Sequence, residues 1–319
     1  MIAVAGAGAF GTALAIALGR EGREVRLWAR DASQVAAIKS SRCNLARLPK
    51  AELPENVSVT GDTADLERAE AVLLAVPMQS LNAFLRDHAV ALGSAPLIAC
   101  CKGVDLMTLQ GAASVVQAAC PEATVAVLTG PSFAVDIAKG LPTALTLACA
   151  VDAGEALQKL LSTATLRLYR TTDVVGAELG GALKNVIAIA AGVVMGAGLG
   201  ESARAALMTR GYAEMQRFAL AMGARAETLA GLSGFGDLVL TCTSTQSRNL
   251  RFGMALGAGA DFDAGITVEG AATARAVVRL AGQLGLDMPI TKMVAALIDK
   301  KLPLDMAIRS LMSRPLKEE

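Results

Sequence analysis

Residues 1–15 read MIAVAGAGAFGTALA, an apolar run that leads into the pattern Gly-x-Gly-x-x-Gly at Gly6, Gly8 and Gly11. Each glycine has its own mechanical purpose in such a pattern. Gly6 permits the tight turn, Gly8 lets a pyrophosphate approach the backbone, and Gly11 lets the following helix pack on the strand. Because an apolar strand precedes the glycines and helix-forming residues follow them, the stretch predicts a dinucleotide-binding fold.

The end of the next predicted strand, residues 24–28, bears on which dinucleotide is bound. Sites specific for NAD usually carry an acidic residue there, which bonds the ribose 2′-hydroxyl. Here the strand is followed by Arg30 and Asp31. Arg30 stands where a cation can pair with a 2′-phosphate. Asp31 is the alternative ribose ligand, but it also suits a helix N-cap, with Gln34 three residues on as in a capping box. The sequence therefore favours NADP(H) and leaves NAD(H) open.

The first half of the chain alternates strand and helix patterns. Alternation of this kind predicts right-handed crossovers and a mostly parallel sheet, with ligands at the carboxyl ends of the strands. Three segments fall at such ends: Val76-Pro77, Lys102-Gly103 and Gly130-Pro131-Ser132. The further strands are predicted at 57–60, 71–76, 96–101, 124–128, 143–150 and 166–169, with helices between them at 79–92 and 108–119.

From Asp173 onward helical periodicity replaces the strand pattern, up to a last predicted stretch at residues 291–311. We therefore expect an α/β Rossmann-like domain with a mostly parallel sheet over residues 1–172. An all-α substrate-binding domain is expected over residues 173–319, with the site in the cleft between the two.

Composition excludes several functions. The 30 basic and 29 acidic residues nearly cancel, which argues against a nucleic-acid partner. The N-terminus is itself the first predicted strand, so no signal peptide is predicted. The longest apolar run, residues 186–200, is only 15 residues and rich in glycine, and it suits a buried helix better than a membrane span. The 53% hydrophobic content hints at surface buried between subunits.

The six cysteines are Cys43, Cys100, Cys101, Cys120, Cys149 and Cys242, and they show no metal or redox spacing. Reduced, structural cysteines in a cytoplasmic protein are therefore expected, without a metal.

The chain contains a single histidine, His88, so the usual proton carrier of dehydrogenases is scarce. His88 lies on the apolar face of the predicted helix 79–92 and is interpreted as a packing residue. Lys184 is the better candidate, because its segment, residues 180–192, is apolar all round and should be buried. Burial lowers a lysine pKa toward the range useful for proton transfer, although a lysine near a helix start can also reach water. Lys102 is a second candidate cation, or an ordinary loop lysine.

Residues 231–249, GLSGFGDLVLTCTSTQSRN, combine closely spaced glycines with Asp237, many hydroxyls and a terminal Arg248. The stretch suits a small anionic ligand. Arg248 can fork onto phosphate oxygens, Ser247 and Asn249 can complete the hydrogen bonds, and a following helix start can add its dipole. The alternative is a mobile Gly/Ser loop that contains an arginine by accident.

The chain resembles the bacterial NAD(P)-dependent sn-glycerol-3-phosphate dehydrogenase family over nearly its whole length. The leading glycine motif is generic, but the later motifs are together highly specific. The matching segments are Gly6–Ala15, Cys101–Gly103, Gly130–Ala134, Gly181–Val186, Thr209–Gly211, Gly231–Asn249 and Val268–Gly270.

The resemblance implies roles for individual residues. Lys184 would be the general acid/base, with Lys102 and Asp237 completing the catalytic group. Lys102 would contact both substrate and cofactor. Glycerol 3-phosphate would be held by Lys102, Gly130, Ser132, Lys184, Asp237, Ser247, Arg248 and Asn249. The cofactor would contact Gly6, Gly8, Phe10, Gly11, Arg30, Lys102, Ala134, Arg248 and Glu269.

The reaction implied is the reversible NAD(P)H-dependent reduction of dihydroxyacetone phosphate to sn-glycerol 3-phosphate, which supplies the glycerophospholipid backbone, in a cytoplasmic homodimer. Two alternatives remain. One is a 3-hydroxyacid dehydrogenase on the same two-domain plan, whose anion site would hold a carboxylate. The other is a non-catalytic NADP(H)-binding regulator, against which the intact Lys184 and Asp237–Asn249 set argues.

Overall fold

A computed structural model describes residues 1–307. It contains one eight-stranded sheet in the order β3-β2-β1-β4-β5-β6-β7-β8. The strands are β1 Ile2–Ala5, β2 Val25–Trp28, β3 Val57–Thr60, β4 Ala71–Leu74, β5 Leu97–Ala99, β6 Val125–Thr129, β7 Thr143–Cys149 and β8 Leu166–Thr171.

Helices connect the strands and then make up the rest of the described chain. A one-turn 3₁₀ helix covers Thr63–Leu66 and a π-helix covers Leu232–Gly236. The α-helices are α1 Ala9–Arg20, α2 Ala32–Ser41, α3 Met78–Leu92, α4 Ala112–Ala119, α5 Ala134–Lys139, α6 Gly154–Leu161, α7 Val174–Gly196, α8 Glu201–Ala221, α9 Ala226–Ala230, α10 Asp237–Thr243, α11 Arg248–Ala258, α12 Glu269–Gln283 and α13 Pro289–Ile298.

The predicted fold class is confirmed, with one antiparallel pair in an otherwise parallel sheet. Strands β1 to β6 run parallel to their neighbours, whereas β6 and β7 are antiparallel, with Thr129 opposite Thr146. β8 then pairs parallel with β7. The carboxyl ends of β1, β4, β5 and β6 therefore meet at one edge of the sheet, where the chain reaches Gly6, Lys102 and Gly130.

The sheet is covered on both faces, as expected for parallel strands. On one face α1, α5 and α6 enclose a core that includes Leu14, Leu128 and Leu147. On the other face α3, α4 and the start of α7 enclose a second core around Leu74, Phe84 and Val127. Both faces of the sheet are therefore packed below the edge at which the site residues lie.

Helix α7 forms the centre of the helical part, with α8, α10, α11, α12 and α13 packed around it. Its 23 residues make it long and apolar enough, by length and composition alone, to cross a membrane. However, 89% of its most apolar 18-residue window is buried inside the protein. It is therefore a core helix, as the sequence predicted, although it begins at Val174, before both the segment 180–192 and the apolar run 186–200.

Several element ends differ from the sequence prediction. The predicted helix 108–119 begins only at Ala112, because Asp105 caps a turn through Met107 and Thr108 before it. The predicted stretch 291–311 overlaps α13, which starts two residues earlier at Pro289 and ends at Ile298. Its last residues, 308–311, lie outside the described residues, as does the end of the domain predicted at 173–319.

Candidate active site

The glycines of the first motif surround the N-terminus of α1 at the edge of the sheet and place no side chain over it. Gly6 has φ +124°, and a Cβ there would lie 2.8 Å from the carbonyl carbon of Ala75, so only glycine fits the turn. A Cβ at Gly11 would lie 2.1 Å from the Gly6 carbonyl oxygen. Gly8 is the N-cap of α1, and no described atom lies within 4 Å of the point where its Cβ would be. A pyrophosphate therefore fits this helix start.

Arg30 and Asp31 take different positions after β2. Asp31 caps α2 by accepting from the backbone nitrogens of Ser33 at 2.8 Å and Gln34 at 3.4 Å. Hydrogen bonds from the Ser33 hydroxyl and then from the two backbone N–H groups lower the pKa of Asp31 below its ordinary value. The capping box is one-sided, since the Gln34 amide donates to the Ala7 carbonyl oxygen instead. Arg30 is exposed and makes no hydrogen bond or ion pair with residues 1–307. It remains the residue able to meet a 2′-phosphate.

Three further residues implied in cofactor binding lie at helix starts around the same edge. Phe10 and Ala134 are partly buried against the core, at the starts of α1 and α5. Glu269 begins α12, and its Oε1 accepts from the backbone nitrogen of Met78 at 3.2 Å. Burial raises the pKa of Glu269, while the Met78 N–H and the charges of Arg248 and Lys102 oppose that rise. Glu269 thus joins the helical part to the start of α3.

Asp237 brings the two candidate lysines together from opposite sides. Lys184 Nζ donates to Asp237 Oδ1 at 2.9 Å and to Thr241 Oγ1 at 2.6 Å. Lys102 Nζ donates to Asp237 Oδ2 at 2.6 Å. The Asp237 side chain is 1% exposed, Lys184 8% and Lys102 15%. One buried carboxylate therefore serves two ammonium groups, one from the sheet and one from α7.

The pKa of Lys184 is lowered to about 8. Burial is the main cause, because it disfavours the charged amine. The Asp237 carboxylate acts in the opposite direction, and the positive charge of Lys102 lowers the pKa again. With 8% of its side chain exposed, Lys184 is buried and does not extend into bulk water. The lowered pKa brings this amine closer to the range useful for proton transfer.

Lys102 is also tied to the end of β6. Its Nζ donates to the Gly130 carbonyl oxygen at 3.0 Å, and Ser132 Oγ donates to the same oxygen at 3.3 Å. Gly130 has φ +137°, a conformation that side chains rarely adopt. This turn places Lys102, Gly130 and Ser132 within one hydrogen-bonded group.

A π-helix directly precedes Asp237 and sets its position. Leu232–Gly236 adopt this wider turn and run directly into α10, which begins at Asp237. A Cβ at Gly180 of α7 would lie 2.7 Å from the Ser233 carbonyl oxygen, so the two segments touch backbone to backbone. Short π-helices are frequent at functional sites. Gly234 is used for close packing, since a Cβ on it would lie 2.0 Å from the Leu229 carbonyl oxygen of α9, and its Cα lies 3.0 Å from a Cβ placed on Gly180. The segment is therefore a packed helical turn and not a Gly/Ser loop.

The segment Ser247–Asn249 forms the start of α11. Ser247 is its N-cap, and its Oγ accepts from the Leu250 nitrogen at 3.2 Å. The Asn249 amide donates to Asn185 Oδ1 at 2.9 Å and accepts from the Gly270 nitrogen at 3.1 Å. Arg248 is exposed and has no hydrogen bond or ion pair within the described chain. Ser247 and Asn249 thus fix the helix start from which the Arg248 guanidinium projects.

Sequence reasoning missed three polar residues of this site. Thr241 bonds Lys184, Asn185 bonds Asn249, and Thr129 Oγ1 is buried next to Gly130. Thr241 follows Asp237 by four residues, which is the spacing of neighbours on one helix face. This four-residue spacing could have indicated that Thr241 lies beside Asp237, but only if residues 237–243 were already known to be helical.

His88 and the cysteines contribute no chemistry to this group. The His88 ring lies 5.6 Å from the Trp28 ring and 5.1 Å from the Phe84 ring, and its Nδ1 lies 3.3 Å from Thr63 Oγ1. This is the environment of a packing residue. All six cysteines are free. Among residues 1–307 no group of three His, Cys, Asp or Glu side chains is placed to hold a metal ion.

Taken together, a dinucleotide-binding sheet edge meets a helical part that supplies a buried lysine paired with Asp237. That arrangement belongs to the NAD(P)-dependent dehydrogenases. Comparison with known proteins narrows the class. Residues 1–154 match the family model for the N-terminus of NAD-dependent glycerol-3-phosphate dehydrogenase, and residues 173–309 match the model for its C-terminus. The chain belongs to the NAD-dependent glycerol-3-phosphate dehydrogenase family.

Individual relatives agree with this assignment. The chain is 64% identical to glycerol-3-phosphate dehydrogenase [NAD(P)+] of Cereibacter sphaeroides, with all of both chains covered. It resembles the crystal structure of glycerol-3-phosphate dehydrogenase from Coxiella burnetii with a TM-score of 0.94 and 36% identity, over 98% of each chain. A ketopantoate reductase from Ralstonia eutropha shares the fold at a TM-score of 0.64 and 19% identity, over 97% of this chain and 100% of the other.

Proposed function

We propose that this protein catalyses the reversible, NAD(P)H-dependent reduction of dihydroxyacetone phosphate to sn-glycerol 3-phosphate, which supplies the glycerophospholipid backbone. The observation that carries the proposal is the Lys184–Asp237–Lys102 group between the sheet edge and the exposed Arg248. It combines a proton donor for a ketone with a cation for a phosphate. The names of the relatives, at up to 64% identity over the full length, support the same reaction.

Lys184 is the proton donor in this account. A bound nicotinamide cofactor supplies the hydride that reduces the carbonyl carbon. Lys184 gives its proton to the oxygen that becomes the C2 hydroxyl, and it takes that proton back in the reverse direction. Asp237 and Thr241 hold the Lys184 ammonium in place, and Lys102 stabilises negative charge on the same oxygen.

The substrate phosphate is assigned to Arg248 and the start of α11. A guanidinium binds phosphate oxygens in a bidentate manner, and the helix dipole adds to the attraction. Ser247 and Asn249 hold this helix start, and Gly130 and Ser132 close the site from the sheet side. Fixing the phosphate orients the ketone for reaction.

Arg30 is assigned to the 2′-phosphate of the cofactor, so NADP(H) is favoured and NAD(H) is accepted. We further propose that residues 1–172 form the cofactor domain and residues 173–319 the substrate domain. A homodimer in the cytoplasm is part of the same proposal. The 53% hydrophobic composition supports surface buried between subunits, and the charge balance argues against a nucleic-acid partner.

The test follows NADPH oxidation with dihydroxyacetone phosphate and, in parallel, with unphosphorylated dihydroxyacetone. We expect rapid oxidation with the phosphorylated ketone and a kcat/KM lower by a factor of about 100 or more without the phosphate. Equal rates with the two ketones would overturn the assignment of a phosphorylated substrate. Turnover of a 3-oxoacid instead of either ketone would favour the hydroxyacid dehydrogenase.

A further inference from the structure

Thr129 carries a buried hydroxyl that has no partner among the described residues. It is the last residue of β6 and is 1% exposed. Its Oγ1 is buried and makes no hydrogen bond with the described residues. Burying a hydroxyl without a partner is costly, and most such groups in folded proteins are paired. This hydroxyl lies beside the Gly130 turn, at the edge of the candidate site.

The surroundings of Thr129 point to Lys102. A methyl carbon added at Gly181 of α7 would lie 2.5 Å from Thr129 Oγ1 and 3.6 Å from Lys102 Cδ. The hydroxyl and the lysine stem therefore border the same point of the site. Gly181 precedes Lys184 by three residues, so this point lies on the helix face that carries the proton donor.

The hydrogen bonds of Lys102 leave room for this partner. An ammonium group has three N–H donors. Two of them are directed at Asp237 Oδ2 and at the Gly130 carbonyl oxygen, at 2.6 and 3.0 Å. Gly130 follows Thr129 directly, so the ammonium is already held at the end of β6. The ammonium therefore keeps one N–H donor for a further acceptor.

We propose that Thr129 is a positioning residue, whose hydroxyl accepts a hydrogen bond from Lys102 Nζ when Lys102 turns from Asp237 toward the substrate oxygen. The inference rests on the proposed function and deepens it. In the structure Asp237 is shared by two lysines. After the exchange Asp237 serves Lys184 alone, and Thr129 and Gly130 hold Lys102 in the direction that polarises the ketone.

The first test replaces the hydroxyl without changing the shape, as Thr129→Val, with Thr129→Ser as the matched control. For Thr129→Val we expect kcat for dihydroxyacetone phosphate to fall about tenfold, because one hydrogen bond to a charged group is lost. The KM for NADPH should not change. Thermal stability should be equal to or above that of the wild type, because the substitution removes an unpartnered buried hydroxyl. Thr129→Ser should recover kcat to within about threefold.

A wild-type kcat in Thr129→Val would overturn the proposal. So would a lower melting temperature for that variant, since the hydroxyl would then already have a partner. Failure of serine to recover the rate would also contradict it, because the effect would belong to the methyl group. A wild-type protein that does not turn over dihydroxyacetone phosphate would instead refute the proposed function, before any variant is compared.

The second test asks whether Thr129 acts through Lys102. Single-turnover rates are compared for the wild type, Thr129→Val, Lys102→Met and the double variant. If Lys102 is the partner, Thr129→Val has less than about a twofold effect in the Lys102→Met background. An equal tenfold loss in both backgrounds would show that Thr129 acts without Lys102, and the proposal would be wrong.

Discussion

The cations of this protein fall into two groups that differ in burial and in partners. Lys184 and Lys102 are largely buried and share Asp237, with donor–acceptor distances of 2.9 and 2.6 Å. Arg248 and Arg30 are exposed and form no hydrogen bond or ion pair with residues 1–307. The first group is held by contacts within the chain, whereas the donors of the second group have no partner among residues 1–307.

This difference indicates a division of work. Charges act more strongly in a buried, low-dielectric site, and groups already fixed there need no reorganisation during the reaction. Exposed guanidiniums are screened by water and salt until a phosphate covers them. Substitutions in the buried group should therefore lower kcat, and substitutions of the exposed arginines should act first on binding.

The largest effect on turnover is expected from substitution of the buried Lys184. Lys184→Ala should lower kcat for dihydroxyacetone phosphate by about 10²–10⁴-fold, because a positioned proton donor is lost. NADPH binding, measured by fluorescence titration, should stay nearly unchanged. The control is His88→Ala, which removes the only histidine and should leave the chemistry in place. Retention of more than a tenth of wild-type turnover in Lys184→Ala would remove Lys184 from the mechanism.

Arg248→Ala should have the next largest effect, with a sharp rise in KM for dihydroxyacetone phosphate and a fall in kcat. The loss of charged hydrogen bonds to the phosphate corresponds to about 2–3 kcal/mol or more in kcat/KM, and poorer orientation of the ketone lowers kcat. Arg248→Lys should recover only part of this, since an ammonium cannot reproduce the bidentate fork.

A second test of Arg248 supplies the phosphate-like group and the carbonyl group as two separate molecules. Phosphite dianion added with glycolaldehyde should partly activate the wild type but not Arg248→Ala. A near-normal KM for dihydroxyacetone phosphate in the alanine variant would move the phosphate elsewhere, with Lys102 and Ser132 as the next candidates.

Arg30→Ala should give the smallest effect, and it should depend on the cofactor. Loss of a pair with the 2′-phosphate weakens NADPH by about 1–3 kcal/mol and NADH by much less. Dissociation constants of the two cofactors at one salt concentration provide the measurement. Equal losses for both would show that Arg30 does not recognise the 2′-phosphate.

The sequence predicted the frame of the molecule well, because the frame depends on local patterns. The turn at Gly6, the strands and the buried helix around Lys184 each follow from a few neighbouring residues. Asp31 was also identified as an N-cap from its neighbours. The antiparallel pairing of β6 with β7 was not predicted, because the direction of a strand depends on the path of the chain through α5 and the loops.

The candidate site was predicted as a set of residues but not as a set of contacts. Lys184, Lys102 and Asp237 were named, yet their meeting at one carboxylate joins positions separated by 53 and 135 residues. Residues 231–236 were expected to approach an anion, whereas in the structure Gly234 is packed between α7 and α9. The contact of Thr241 with Lys184 was not predicted, because the sequence alone did not predict a helix over residues 237–243.

The most direct test of the account is the pH dependence of kcat for reduction, measured in single turnovers so that product release does not mask the chemistry. A proton donor works only while protonated, so the rate should be constant below the pKa of Lys184, about 8, and fall as the pH rises through it. Oxidation of glycerol 3-phosphate should show the opposite trend, and the inflection should be absent from the residual activity of Lys184→Ala. The same inflection in Lys184→Ala, or none in the wild type, would contradict Lys184 as the buried proton donor.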